Sequence, residues 1–250
     1  MTRWKWMKWT LLATVFLVCA GGGYASCIYR GYLLFNNPSP EKYPVTGVDL
    51  SHYQGEVDWE RLSQEPITFA YIKATEGSSH VDSRFAQNWE GAGAAGLLAG
   101  AYHFFSFDSP GETQAVNFIT QVPAREGMLP PVVDVEYYGD KKENRPDGEA
   151  VREQLQIMLE LLTDHYQMPP VLYCTEEMWT DYLDGSFEDY PLWIRNVFTK
   201  PKISDPWTFW QYTNRGRLDG YAGDEEFIDL NVFYGDEEQW AEWLAENGVK

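Results

Sequence analysis

The sequence predicts an α/β fold: an irregular, TIM-like (β/α) barrel behind an N-terminal transmembrane or signal helix. Three observations carry that expectation. Eight short apolar runs of strand character recur between Val45 and Val232, and amphipathic helical segments separate the earlier ones. Polar side chains from five of these runs (Asp49, Glu76, His103, Glu136 and Gln211) fall at their C-terminal ends, where barrels gather their chemistry. The stretch Trp9–Tyr29 is 21 residues without a charge, close to the length that crosses a bilayer core.

Along the chain, residues 1–30 form the apolar N-terminal segment. Arg3, Lys5 and Lys8 precede it and only Arg30 follows closely, so the positive-inside rule leaves the N-terminus in the cytoplasm and exports the rest. Trp4, Trp6 and Trp9 suit an interfacial aromatic belt. We favour an uncleaved single-pass anchor. The alternative is a secreted form, because Leu11–Ala20 also suits a signal-peptide core and Gly23-Tyr24-Ala25 offers a small-x-small cleavage site. Residues 31–44 read as a linker punctuated by Asn and Pro, and residues 45–250 as the barrel domain.

Within that domain the expected strands are Val45–Leu50, Thr68–Ala74, Leu97–Phe104, Pro131–Glu136, Pro170–Cys174, Pro191–Ile194, Thr208–Tyr212 and Phe227–Val232. Helices are expected over Asp58–Gln64, Ser83–Ala95, Glu112–Gln121, Gly148–Tyr166 and Asp236–Glu246. The fourth is the clearest amphipath, with Val151, Leu155, Met158, Leu159 and Leu162 at helical spacing. Later connections are shorter, hence an irregular second half. An open doubly wound sheet is the structural alternative, but no glycine-rich phosphate loop follows the first strand; Gly47-Val48-Asp49 meets an acid instead.

Composition narrows the function. Residues 41–250 carry 15 basic against 38 acidic side chains, a charge of −23 that repels nucleic-acid backbones and anionic polymers. Eleven Trp and 16 Tyr exceed what a core this size needs, and flat rings are sugar platforms as well as core and interface fillers. Cys174 is the only cysteine beyond the export segment, which excludes a disulfide framework within the domain, and no clustered His/Cys spacing suggests a metal or other cofactor.

The chemistry concentrates in Pro131-Val132-Val133-Asp134-Val135-Glu136. Strand side chains alternate faces, so Asp134 and Glu136 project together, roughly 7 Å apart along the backbone, while Val133 and Val135 turn away. Six acid-x-acid spacings occur in the chain, and only this one is threaded through valines on a buried strand. Paired carboxylates of this kind serve general acid chemistry on glycosidic bonds. A strand-end pair that merely caps loops is the bland alternative. His103, flanked by Tyr102 and Phe104, is expected to be a hydrogen-bonded residue of the barrel mouth rather than a base.

In order along the chain, Gly47-Val48-Asp49-Leu50-Ser51-His52-Tyr53-Gln54, Phe69-Ala70-Tyr71-Ile72-Lys73-Ala74-Thr75-Glu76-Gly77, Gly100-Ala101-Tyr102-His103-Phe104, the Asp134/Glu136 strand, Leu192-Trp193-Ile194, Trp210-Gln211-Tyr212 and Ile228-Asp229-Leu230-Asn231 resemble the family 25 glycoside hydrolases, the Chalaropsis-type lysozymes. One departure is Arg195-Asn196-Val197, where the family often has a small residue and then an aromatic. It alters one wall of the groove and is expected to leave the acids untouched.

The resemblance implies a retaining muramidase that cuts the β-1,4 bond between N-acetylmuramic acid and N-acetylglucosamine in peptidoglycan. It implies Glu136 as general acid, and Asp134 as an ionised nucleophile or as the carboxylate that orients the substrate's 2-acetamido group. Asp49 and Asp229 match two further site acids that would hold and tune the first pair. Tyr53, Lys73, Glu76, Tyr102, Trp193, Trp210 and Gln211 are the substrate-binding candidates, with Tyr53 and Trp210 favoured as sugar platforms. No cofactor, metal or nucleic-acid partner is expected. The partners are glycan strands and, through residues 1–30, a membrane. Competing readings are a catalytically silent glycan-binding barrel and a hydrolase of chitin-like polymers.

Overall fold

The computed structural model describes residues 3–204 and 206–249. Helix α1 (Arg3–Tyr29) comes first, then β1 (Thr46–Leu50), β2 (Glu56–Val57), α2 (Trp59–Leu62), β3 (Phe69–Glu76), β4 (His80–Val81) and α3 (Phe85–Ala94). Next are β5 (Leu98–Phe104), α4 (Gly111–Gln121), β6 (Val132–Val135), α5 (Gly148–Tyr166), β7 (Val171–Thr175) and α6 (Glu176–Met178). The chain closes with β8 (Leu192–Arg195), β9 (Phe209–Gly216), β10 (Tyr221–Ala222), β11 (Ile228–Phe233) and α7 (Glu237–Glu246).

Strands β1, β3, β5, β6, β7, β8, β9 and β11 form a closed eight-stranded barrel, sealed where β1 pairs with both β3 and β11. Seven run parallel. Strand β11 is antiparallel to both neighbours. The reason is the connection before it: residues 217–227 hold only β10, which pairs back onto β2, and a parallel return needs a longer crossover. All eight expected strands are therefore present, and the irregularity falls in the second half.

Strand alternation divides the apolar residues into two cores. Val48, Ile72, Ala101, Val133, Leu172 and Ile194 face outward and pack against the helices, among them Phe118 of α4 and Leu155 and Leu159 of α5. Phe69, Tyr71, Val132, Tyr173, Trp193 and Phe209 face inward and fill the barrel. Helix α7 plugs its floor, with Trp240 5.6 Å from Phe69 and Trp243 5.2 Å from Phe209 between ring centres. Its start is fixed by a capping box between Asp236 and Gln239. Helix α5 starts on Asp147, whose carboxylate accepts the Ala150 N–H at 3.0 Å, and ends at Gln167 in a left-handed turn.

So many rings fit inside because small residues stand opposite them. A Cβ on Gly100 would come within 2.1 Å of the Tyr71 ring. Gly100→Ala is expected to destabilise the fold by about 1–3 kcal/mol, the usual cost of overpacking, measured as a lower urea midpoint with an unchanged slope.

The stretch 31–44 contains no helix or strand, yet it lies against the barrel. Asn36, buried, donates to the carbonyls of Asn196 and Tyr212 at 3.0 Å each. The Phe35 ring meets Phe198 edge-on at 5.4 Å, and Tyr43 belongs to the outer core. Arg215 and Arg217 donate to the carbonyls of Tyr29 and Arg30, tying the end of α1 to the β9 end of the barrel. The 24-residue span Trp6–Tyr29 is long and apolar enough to cross a membrane, and its most apolar 18-residue stretch is not buried within the protein.

Candidate active site

Inward-facing residues above the aromatic layer are polar, and they line a groove of about 680 Å³ at the C-terminal mouth of the parallel strands. Asp49 enters from β1, Lys73 from β3, Tyr102 from β5, Asp134 from β6, Tyr173 from β7 and Arg195 from β8. Glu136 follows one residue after β6. Asp229 is the second residue of β11, whose N-terminal end reaches the mouth because the strand runs backwards. Asp49 and Asp229 are direct cross-strand partners.

Two buried amides organise these acids. Gln211 accepts the Tyr173 phenol at 2.9 Å and donates to Asp49 at 2.9 Å and Asp229 at 3.3 Å. Asn231 accepts the Trp193 indole N–H at 2.9 Å and donates to Asp49 at 2.8 Å. Each aromatic donor fixes which end of its amide is the carbonyl, so the NH2 groups are aimed at carboxylates. Asp49 is the most solvated by donors of the four acids. Burial and then Asp49 push the Asp229 pKa well up; burial also raises that of Asp49, against the pull of its amide donors Asn231 and Gln211.

Asp134 is 8% exposed, and its Oδ1 has no hydrogen-bond partner within the protein. Burial and then Glu136 push its pKa well above the ordinary aspartate range; Lys73 and Arg195 pull it down. Glu136 is also raised by burial, with Arg195 opposing. At Asp134, burial favours the protonated form, and Lys73 and Arg195 favour the ionised one. Tyr102 stays a phenol, its pKa driven up by burial and the surrounding acids.

Arg195 is the residue that sequence reasoning missed. It lies two positions after Trp193 on β8, hence on the same inward face, and its charge acts on Glu136, Asp229 and Asp49. The departure at 195–197 thus touches the acids after all. Alternation also corrects the platform assignment. Gln211 faces in, so its neighbour Trp210 must face out; it is 4% exposed, packs on Tyr43 and Trp207, and donates its indole N–H to the Asn196 carbonyl. Trp193 faces in but is 1% exposed, a floor under the acids rather than an open sugar platform.

His103, next to inward-facing Tyr102, points into the outer core. Thr75 and Gln114 hold its two ring nitrogens at 2.7 and 3.1 Å, and burial lowers its pKa to about 4. It is absent from the mouth because its strand position forbids it. Glu76 sits at the rim, bound to Lys73 at 2.8 Å, and does not line the groove itself. Tyr53 does line it, 60% exposed, its ring lying 4.1 Å from that of His52. Residues 48–221 match the family described as Glycosyl hydrolases family 25.

The chain belongs to that family. It is a glycoside hydrolase. A family 25 glycosyl hydrolase structure from Bacillus anthracis is 48% identical, superposes with a TM-score of 0.79, and covers 84% of this chain and 97% of its own. An uncharacterised Escherichia coli O157:H7 protein, YegX, is 34% identical over 89% of this chain and 80% of its own length. Lysozyme M1 of Streptomyces globisporus is 33% identical over 76% of this chain and 68% of its own. In this family 25 hydrolase the groove can protonate a leaving oxygen from Glu136 and present the unpartnered Asp134 oxygen to an N–H or a cationic carbon.

Proposed function

We propose that this chain is a membrane-anchored muramidase, hydrolysing the β-1,4 bond that follows N-acetylmuramic acid in peptidoglycan, with retention at the anomeric carbon. Glu136 protonates the leaving oxygen. Asp134 accepts the N–H of the substrate's 2-acetamido group, so that the acetamido oxygen attacks the anomeric carbon and the carboxylate stabilises the resulting cation. Water then opens that intermediate with Glu136 as base. The observation that carries this reading is the buried Asp134 Oδ1, unpaired and lining the groove beside Glu136. An acceptor so placed is costly unless a ligand donor meets it. The direct nucleophile route uses the same oxygen, and the acetamido route is favoured because a lone acceptor suits an amide donor.

Asp49 and Asp229 act as one proton-sharing support, held by Gln211 and Asn231. Lys73 and Arg195 favour ionisation of Asp134, while Tyr53 offers a sugar platform at the rim. The name of the Streptomyces globisporus relative supports the substrate class. The apolar span Trp6–Tyr29, with the Tyr29 and Arg30 carbonyls at its end accepting from Arg215 and Arg217, supports a retained anchor with the barrel outside the cytoplasm.

The test is mass spectrometry of fragments released from purified peptidoglycan. Reducing N-acetylmuramic acid ends are expected; reducing N-acetylglucosamine ends, or no fragments from folded protein, would overturn the muramidase reading. A second test uses Arg195→Gln. Removing a cation raises carboxyl pKa values, so both limbs of the pH–rate profile should move to higher pH. An unmoved profile would remove Arg195 from the tuning role.

A further inference from the structure

A second cavity, of about 530 Å³, lies between the end of α1 and the β8–β9 edge of the barrel. Ile28, Leu33, Leu34, Phe35, Val197 and Phe198 give it apolar walls, and Phe198 is two-thirds exposed. It is continuous with the catalytic groove, because Tyr29, Arg195, Asn214 and Arg215 line both. The join is cationic. Among the described residues Arg195 makes no ion pair and its side chain makes no hydrogen bond. Arg215 uses one N–H on the Tyr29 carbonyl while its guanidinium lies between the rings of Tyr29 and Phe227, 4.9 and 5.1 Å away. An acid-lined sugar groove, two guanidinium groups and an apolar slot therefore follow one another, the slot abutting the last turns of a membrane-length helix.

We infer that the preferred substrate is a glycan strand still joined, through phosphate at its reducing end, to a hydrocarbon chain in the membrane. This rests on the muramidase reading and names the substrate form that its groove takes. The hydrocarbon enters between Phe198 and Leu33, the phosphate meets Arg215 and Arg195, and the sugars run into the groove. The leaving sugar lies toward the reducing end, so this substrate form requires that the leaving-group side of the groove open toward the arginines. Water adds across the glycosidic C–O bond: its hydroxyl goes to the anomeric carbon, the leaving oxygen keeps a proton, and the phosphate ester is untouched. The products are a free strand and a shortened lipid-linked oligosaccharide. An acidic domain of charge −23 repels phosphate elsewhere, which makes a cationic seam at this one place selective.

The experiment places the full chain in nanodiscs of phosphatidylethanolamine and phosphatidylglycerol. It compares polymerised glycan strands carrying polyprenyl diphosphate with the same strands after mild acid has removed the lipid. Lipid-linked strands should be cut at least about tenfold faster, since the second contact makes sugar binding intramolecular. Phe198→Ser combined with Leu33→Ser, both exposed positions, should abolish most of that preference and leave the rate on lipid-free strands unchanged. Equal rates in the parent protein would overturn the inference, as when a bilayer phospholipid fills the slot. So would a preference that survives the double variant, which membrane co-localisation alone would explain. Digestion of neither strand by folded protein would overturn the muramidase reading together with this inference.

Discussion

Glu136→Gln is expected to lower cleavage of peptidoglycan by about 10²–10⁴-fold, the range that a general acid supplies. It should lower cleavage of an activated aryl glycoside of N-acetylmuramic acid far less. The two substrates separate protonation of the leaving group from everything else the groove does. A sugar hydroxyl is a poor leaving group and needs the proton of Glu136, whereas a nitrophenolate leaves without one. Glutamine keeps the size of the side chain, and burial, which raises the carboxyl's pKa, penalises a charge that glutamine lacks. Thermal unfolding of the variant should therefore match or exceed that of the parent. Equal losses on both substrates would assign Glu136 to binding or to the stabilisation of positive charge instead.

Much of this site is legible in the sequence because strand parity is local. Asp134 and Glu136 share a face through an i, i+2 spacing, and Lys73, Tyr102 and Trp193 are fixed inward by the same rule. That rule, applied to Trp210-Gln211 and Tyr102-His103, also forbids both members of either pair from facing the groove. Trp210 and His103 therefore face the outer core, although each adjoins a residue that faces the groove. Arg195 was within reach as well, two residues from Trp193, but a mismatch to a family pattern hid a plain consequence of geometry.

What the sequence could not carry is long-range. The reversal of β11 depends on how a short connection closes the barrel, and it alone brings Asp229 opposite Asp49 at the mouth. The contacts of Arg215 and Arg217 with the end of α1 span more than 180 residues of chain, and no periodicity encodes them. For the same reason residues 31–44 read as a tether, although Asn36 and Tyr43 bind them to the domain.

Asp134→Asn should produce the second large effect, and in two opposed directions. Cleavage should fall by about 10²–10³-fold, as when one preorganised electrostatic contact is lost, and the fall should be similar for peptidoglycan and for the aryl glycoside. The cation that Asp134 stabilises forms with either leaving group. Stability should move the other way. A carboxyl whose pKa is raised in the folded state binds more protons folded than unfolded, so its contribution to stability is lost as pH rises above its ordinary value of 3.8. Near neutral pH the parent therefore bears the cost of a buried charge that asparagine lacks. The variant should gain about 0.5–2 kcal/mol, a few degrees in Tm, with the gain shrinking as pH is lowered toward 4. A variant less stable than the parent at every pH would mean that Asp134 is held by protein contacts beyond those to Lys73 and Arg195. A gain in stability with loss of activity on both substrates is what a buried carboxylate kept for its reaction, rather than for the fold, must show.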